Sequence, residues 1–337
     1  MKIIFIGTGD FAVPILETLI NSSICQVMTV ITSPDKPVGR KQIVSPSPVK
    51  SYLLKHGARN IPILQPGKIE NCKLSRRSGI PLLSGKIENL KPDLGIVAAY
   101  GKILPKDILD IPKYGFINIH PSLLPKYRGP SPIQYAILNG EKEAGITIIL
   151  MNEKVDAGPI LSNIKYQILN IKITYKELEK ELAELGAKLL IEIIPKWINR
   201  EIRPIPQDES RATYTKILTR EDGKIDWQKS AKEIERQIRA FNPEPGTFTS
   251  FKIKNKKSKI KNTYQKSKII KILKAEVLST QTDKQIGKVF LTDRKELVVA
   301  CGVNALILEE VQPEGKRKMT AQEFLRGNRQ IIGMTLE

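Results

Sequence analysis

The first twenty residues constrain the fold more than any other stretch. Lys2-Ile-Ile-Phe-Ile6 is a short apolar run, Gly7-Thr-Gly-Asp-Phe-Ala12 a glycine turn, and Val13-Pro-Ile-Leu-Glu-Thr-Leu-Ile20 has helical apolar spacing. Pro14 falls in the first helical turn, where its missing N–H costs nothing. Strand, glycine turn and helix N-terminus form an anion-friendly entry to a βαβ unit. The alternation then continues. Strands are expected at Val27–Thr32, Leu94–Ala98, Phe116–Ile119, Gly145–Leu150 and Ile160–Tyr166. Helices are expected at Val49–His56, Leu104–Leu109, Pro132–Asn139 and Tyr175–Ile193. This pattern predicts an α/β domain with a doubly wound, Rossmann-like, mostly parallel sheet.

After Arg200 the pattern changes. A polar, proline-bearing segment is read as a linker over 200–212, dividing residues 1–199 from 213–337. Beyond it come one helix, Ser230–Phe241, and short β segments at Ile269–Ile272, Val289–Leu291, Leu297–Ala300 and Ala305–Leu308. Short strands with turn residues between them suit a small OB-like β-barrel. Within it, Lys252–Lys274 holds ten lysines and no acid, either a solvated hairpin or a basic contact surface. Gly67-Lys-Ile-Glu-Asn71 recurs as Gly85-Lys-Ile-Glu-Asn89, which reads as a local duplication on the surface.

Composition excludes several classes. No apolar run reaches the roughly 18–20 residues of a membrane span, and Met1 leads directly into the first strand with no cleavage-site pattern. Cys25, Cys72 and Cys301 are odd in number and widely spaced, so reduced thiols and a cytoplasmic setting are expected. With only His56 and His120 available, no metal site is expected. The formal charge of +20 would attract polyanions such as nucleic acid, unless it reflects a lysine-rich composition bias. No exposed apolar stripe stands out, so a monomer is expected.

The chemistry concentrates in Gly115-Phe-Ile-Asn-Ile-His-Pro-Ser-Leu-Leu-Pro125. Asn118 and His120 are two apart, so they share one face of a strand. Pro121 and Pro125 end that strand in a shaped loop, at a strand's C-terminal end, where open α/β sheets hold their ligands. Asp156 lies in a later glycine- and proline-bounded loop. An imidazole can exchange protons near neutral pH, a carboxylate can orient it, and an amide N–H can donate to an oxygen gaining charge. Ser122 has no nucleophile-elbow context. The three groups therefore suit acyl transfer to an external amine.

The chain resembles the methionyl-tRNA formyltransferases. The matching stretches are Ile6-Gly-Thr-Gly-Asp-Phe-Ala-Val-Pro14, Ser33-Pro-Asp-Lys-Pro-Val-Gly-Arg40, Ser45–Lys50 and Asn118-Ile-His-Pro-Ser-Leu-Leu-Pro125. Arg128-Gly129, Pro132-Ile-Gln134, Asp156-Ala-Gly158, Ile225-Asp-Trp227 and Ala240–Gly246 continue the match in order. The resemblance implies formyl transfer from 10-formyltetrahydrofolate to the α-amino group of initiator methionyl-tRNA. It implies Asn118, His120 and Asp156 as the catalytic residues. Ser122, Leu123, Leu124 and Pro125 would line the folate site, and Lys36, Arg40 and Lys41 would meet the tRNA acceptor end. Gly9 replaces the family's usual proline, which creates a G-x-G-x-x-A look-alike of a dinucleotide fingerprint.

Four other readings compete. A sugar-nucleotide formyltransferase shares the three residues and a two-domain plan, but the basic charge favours tRNA. A glycinamide ribonucleotide formyltransferase resembles the first domain alone. A nicotinamide oxidoreductase, with Asp35 as ribose ligand, leaves Asn118, His120 and Asp156 without roles. A catalytically silent tRNA-binding protein would not need those three residues.

Overall fold

The computed structural model describes residues 1–39, 42–58, 60–67, 83–253, 266–280 and 283–337. The described chain forms two compact units. The first comprises Met1–Pro132, Lys142–Ile168 and Glu177–Lys216; the second comprises Ile133–Glu141, Leu169–Lys176 and Ile217–Glu337.

In chain order, the elements begin with β1 (Lys2–Gly7), α1 (Ala12–Ile20), β2 (Gln26–Ile31), β3 (Lys36–Val38), β4 (Ile43–Ser45), α2 (Pro48–Lys55) and β5 (Ile63–Leu64). They continue through α3 (Leu83–Leu90), β6 (Leu94–Ala98), α4 (Lys106–Leu109), β7 (Phe116–His120), α5 (Pro132–Asn139), β8 (Glu143–Leu150), β9 (Ile160–Gln167) and α6 (Tyr175–Ile198). The first unit is built on a seven-stranded sheet of order β5-β2-β1-β6-β7-β8-β9. Its strands are parallel from β5 to β7, and β8 and β9 add antiparallel pairs. The order reverses at β1, which pairs β2 on one side and β6 on the other. In an open α/β sheet the strand C-termini beside such a reversal form the ligand crevice.

Burial explains the strand sequences. Ile3, Ile4 and Phe5 are fully buried, as are Ile96 and Ile117, because a central parallel strand is covered on both faces. Helix α6 buries Leu178, Leu182, Ala183, Gly186, Leu190 and Ile194, one stripe at helical spacing. It runs a turn beyond the expected end and carries Pro195 inside it. The Pro195 carbonyl still accepts from Asn199 N–H at 2.9 Å, so the last turn closes.

Two expectations need adjustment. The prolines and glycine of Ser33–Lys41 mark that stretch as a loop, yet it carries β3, which pairs with β4 in a hairpin. The second copy of the repeated pentapeptide, Gly85–Asn89, is not a surface insertion: it lies in α3, and its Ile87 is fully buried. An apolar residue in a helix facing a core is held there whatever its sequence copy number. Most of the first copy lies outside the described residues.

In the second unit the remaining elements are α7 (Ala231–Phe241), β10 (Thr247–Ile253), β11 (Lys266–Leu278), β12 (Val289–Leu291), β13 (Leu297–Ala300), β14 (Ala305–Pro313), β15 (Met319–Thr320) and α8 (Ala321–Gly327). An antiparallel sheet of order β10-β11-β14-β13-β12 is extended by β15 on β14. Both helices start with reciprocal capping boxes, Ser230 with Glu233 and Thr320 with Glu323. Trp227, Ile234, Phe251, Ile272, Leu306 and Phe324 belong to one core. The buried Trp227 indole donates to Thr249 Oγ1 at 3.0 Å, so its polar edge is satisfied. The α/β sheet followed by an antiparallel β domain is the fold class the sequence predicts. Within 252–274, residues 254–265 lie outside the described ones, and β11 carries the rest from Lys266.

Candidate active site

Strand β7 sets the first two side chains. Its apolar residues alternate with Asn118 and His120: Ile117 and Ile119 are buried, and Ile119 lies where a Cβ on Gly186 of α6 would touch it. Asn118 and His120 therefore take the opposite face. His120 pairs in register with Thr147 of β8. Pro121 then stops the strand. Ser122 Oγ donates to the Lys126 carbonyl at 2.6 Å, while Thr147 Oγ1 donates to the Ser122 carbonyl at 2.7 Å and accepts from Leu124 N–H at 3.0 Å. The 121–126 loop is thereby stapled to β8.

Asp156 comes from the turn between β8 and β9. Its backbone adopts φ +49°, a left-handed conformation uncommon for non-glycine residues. Its carboxylate gathers the site: Oδ1 accepts from Asn118 Nδ2 at 3.2 Å, Oδ2 accepts from Gly129 N–H at 2.8 Å, and Oδ2 lies 3.6 Å from His120 Nδ1. The other imidazole nitrogen, Nε2, is 2.9 Å from the Tyr127 carbonyl oxygen. A carbonyl only accepts, so Nε2 carries a hydrogen and Nδ1 is left to exchange a proton beside Asp156. Both side chains are nearly closed off from solvent, at 5% and 14% exposure for His120 and Asp156.

Two glycines are required by this packing. Gly129 has φ +103°, and an added Cβ there would sit 2.7 Å from the Thr215 carbonyl oxygen. A Cβ on Gly158 would collide with the Leu150 carbonyl oxygen.

Residues 207–216 run along the site. Arg128 N–H donates to the Thr213 carbonyl at 2.9 Å and its carbonyl accepts from Thr215 N–H at 2.7 Å. The Arg128 side chain is 1% exposed. Its five N–H donors are all used: Nε and Nη2 on Gln207 Oε1, Nη1 and Nη2 on the two oxygens of Glu209, and Nη1 on Tyr214 Oη. The guanidinium holds the Glu209 carboxyl below the usual carboxylate range, chiefly by these hydrogen bonds. Glu209 itself is 67% exposed, so the buried cation is paired with an acid that keeps its hydration.

Comparison with known proteins shows the family. Residues 1–194 match the formyl transferase family, and residues 217–329 match the family described as formyl transferase, C-terminal domain. The chain is 42% identical to a methionyl-tRNA formyltransferase of Bacillus velezensis over 97% of this chain and 94% of that protein. It is 43% identical to one of Enterococcus faecalis, over 97% and 96% respectively. The chain belongs to the methionyl-tRNA formyltransferase family. Solved structures share the fold at lower identity. An N-formyltransferase from Helicobacter canadensis, in complex with folinic acid and dTDP-3-aminofucose, has a TM-score of 0.60 at 20% identity, covering 91% of this chain and 99% of that one. HypX from Aquifex aeolicus, in complex with tetrahydrofolic acid, has a TM-score of 0.57 at 16% identity and covers 96% of this chain. This chain spans about half, 47%, of that HypX chain.

In this methionyl-tRNA formyltransferase family member, Asn118, His120 and Asp156 meet at one carboxylate. The polar groups of the Ser122–Pro125 loop turn inward: Ser122 and Leu124 are buried, while Leu123 and Pro125 are partly open. Lys36 is exposed on the β3–β4 hairpin, and Arg40 and Lys41 lie outside the described residues. The hairpin base is tied by Lys50 Nζ to Asp35 Oδ2 at 2.7 Å and by Gln65 Nε2 to Asp35 Oδ1 at 2.7 Å. Lys50, then Gln65, hold the Asp35 carboxyl below its ordinary range. Asp35 is thus a structural anchor, which removes the acid that the nicotinamide reading needs. Gln207, Glu209, Thr213, Tyr214 and Thr215 are the residues that sequence reasoning missed, having assigned them to a linker or past its end. The one available signal was the dense polar run Gln207-Asp-Glu-Ser210 followed by Tyr214. Among the described residues, no group of three or more His, Cys, Asp and Glu side chains is placed to hold a metal ion, and no helix is long and apolar enough to cross a membrane.

Proposed function

We propose that the protein transfers the formyl group of 10-formyltetrahydrofolate to the α-amino group of methionine on initiator methionyl-tRNA. The observation that carries this reading is the convergence of Asn118 and His120 on the Asp156 carboxylate, with Ser122 Oγ committed to Lys126. That donor set has no side-chain nucleophile, so it fits direct transfer to an incoming amine. When bound, the folate supplies an activated formyl carbon and a nitrogen leaving group.

The chain's own residues have separate tasks. Asn118 has a second amide hydrogen beyond the one donated to Asp156, and it donates to the formyl oxygen as that oxygen gains charge. A preorganised donor of this kind lowers a barrier by roughly 3–4 kcal/mol. His120, with its Nε2 hydrogen held by the Tyr127 carbonyl, presents Nδ1 for proton exchange. Asp156 holds both groups in register. The amine itself needs little activation: an α-amino group has a pKa of about 8, so an appreciable fraction is neutral at pH 7. The exclusion of water around two nearly buried side chains strengthens each of these interactions.

The same reading places the donor against the Leu123–Pro125 surface and the acceptor end of the tRNA near Lys36, Arg40 and Lys41. The β-rich second domain adds further tRNA contacts. We place the protein in the cytoplasm as a monomer; the free thiols of Cys25 and Cys301 suit a reducing compartment.

The test is to incubate the protein with 10-formyltetrahydrofolate and charged initiator tRNA and to assay formylmethionine by mass spectrometry. A parallel reaction offers an amino-sugar nucleotide as acceptor. Formylation of the sugar with none of the methionyl-tRNA would refute the assignment.

A further inference from the structure

We infer that Gln207 is a positioning residue that locks the two loops carrying the catalytic geometry. The inference rests on the function proposed for Asn118, His120 and Asp156. Gln207 Nε2 donates to the Asp156 carbonyl at 2.8 Å and to the Gly158 carbonyl at 2.7 Å. Its Oε1 accepts from Arg128 Nε at 3.1 Å and Nη2 at 2.8 Å. Both amide hydrogens and the amide oxygen are therefore used, which fixes the orientation of the group.

The two sides of this bridge are the two sides of the site. On one side, Gln207 grips the backbone of the residue whose carboxylate joins Asn118 and His120, in a turn held at φ +49°. On the other it grips Arg128, whose chain neighbours touch the same centre. The Tyr127 carbonyl takes the His120 Nε2 hydrogen, and Gly129 N–H donates to Asp156 Oδ2. Tyr127 has φ +60°, so this segment also holds a non-glycine residue in the left-handed region. Gln207 touches none of the three catalytic side chains. It acts through the backbone on the His120–Asp156 separation. A misplacement of about 1 Å at such a centre costs on the order of 100-fold in rate.

Gln207→Glu breaks the bridge on the Asp156 side and keeps it on the Arg128 side. A glutamate keeps the shape and still accepts from Arg128, so the buried cation stays paired. It replaces the two N–H donors with an oxygen facing two carbonyl oxygens, which pushes the 156–158 turn away. Gln207→Ala serves as the variant lacking both contacts. We expect Gln207→Glu to melt below the wild type, because two carbonyls lose their donors, yet to stay folded at the assay temperature, where its kcat for formyl transfer falls roughly 10–100-fold, with KM for the folate donor and for methionyl-tRNA within about threefold. The second readout does not depend on the substrate. His56 and His120 are the only histidines, so their ring signals resolve by NMR, with His56→Ala assigning them. In Gln207→Ala, which adds no charge, the His120 ring signals should move while those of His56 stay. Unmoved His120 ring signals in Gln207→Ala, or a Gln207→Glu enzyme with kcat near the wild type, would overturn the inference. A loss confined to KM would do the same. Wild-type protein inactive on methionyl-tRNA but with His120 ring signals that respond to Gln207→Ala would sink the proposed function and leave the positioning role standing.

Discussion

Replacing Asn118 by aspartate tests the electrostatics of the site through stability as well as rate. The substitution is nearly isosteric, but it sets a carboxylate oxygen where Asn118 Nδ2 now sits, 3.2 Å from Asp156 Oδ1. At an effective dielectric of about 20, two unit charges at that distance repel by about 5 kcal/mol. Asn118 is half-buried, so solvent on its open side brings this to about 2–4 kcal/mol. The folded variant avoids the repulsion by keeping one proton that the unfolded chain releases above about pH 4. The carboxylate pair at 118 and 156 holds that proton, so the folded state binds more protons than the unfolded one. Stability relative to wild type must then fall as pH rises from about 4 through the raised folded-state value. For a unit of this size, 2–4 kcal/mol corresponds to roughly 5–15 °C in Tm. Scanning calorimetry from pH 5 to pH 8.5 on wild type, Asn118→Asp and Asn118→Ala checks this. The alanine variant loses the hydrogen bond without gaining a charge, so its offset should stay flat with pH. An Asn118→Asp offset that is equally flat would refute the close Asn118–Asp156 contact.

Other expectations follow from single observations. His120→Ala should reduce formyl transfer by about 10²–10⁴-fold and leave tRNA affinity, measured by filter binding, nearly unchanged; activity near wild type would displace the site from His120. With a formal charge of +20, tRNA affinity should fall steeply between dilute and moderate salt through counterion release, and a flat response would assign the charge to composition alone. Tyr100 Oη is buried without a hydrogen-bond partner among the described residues, and burial pushes the phenol up to about 12. Tyr100→Phe should therefore raise stability by about 1 kcal/mol in urea unfolding, whereas a loss of that size would reveal a partner for the hydroxyl.

Much of the framework was legible because it is local. The apolar run at Lys2–Ile6 and the glycine turn after it need only their own residues to specify strand and turn. Asn118 and His120, two apart on an apolar strand, announce a shared face through the pleat alone. Ser47 and Ser230 cap their helices through bonds that span three residues. Other elements depended on partners distant in sequence. β11 extends from Lys266 to Leu278, longer than its apolar core suggests, because β10 and β14 pair with its flanks. The repeated pentapeptide misled because a charged, glycine-led segment looks superficial until Ile87 finds a core to enter.

What the sequence by itself determined is the α/β framework, the β-rich second domain and the choice of Asn118, His120 and Asp156 as candidate site residues. What only the tertiary structure decided is how they are held. The bonds that do so cross from Arg128 to Gln207 and Glu209, and from Gln207 back to Asp156. Residues so far apart along the chain leave no periodic trace. A polar run that elsewhere would mark a solvated linker becomes the strap of a site once a buried guanidinium requires acceptors for its five donors.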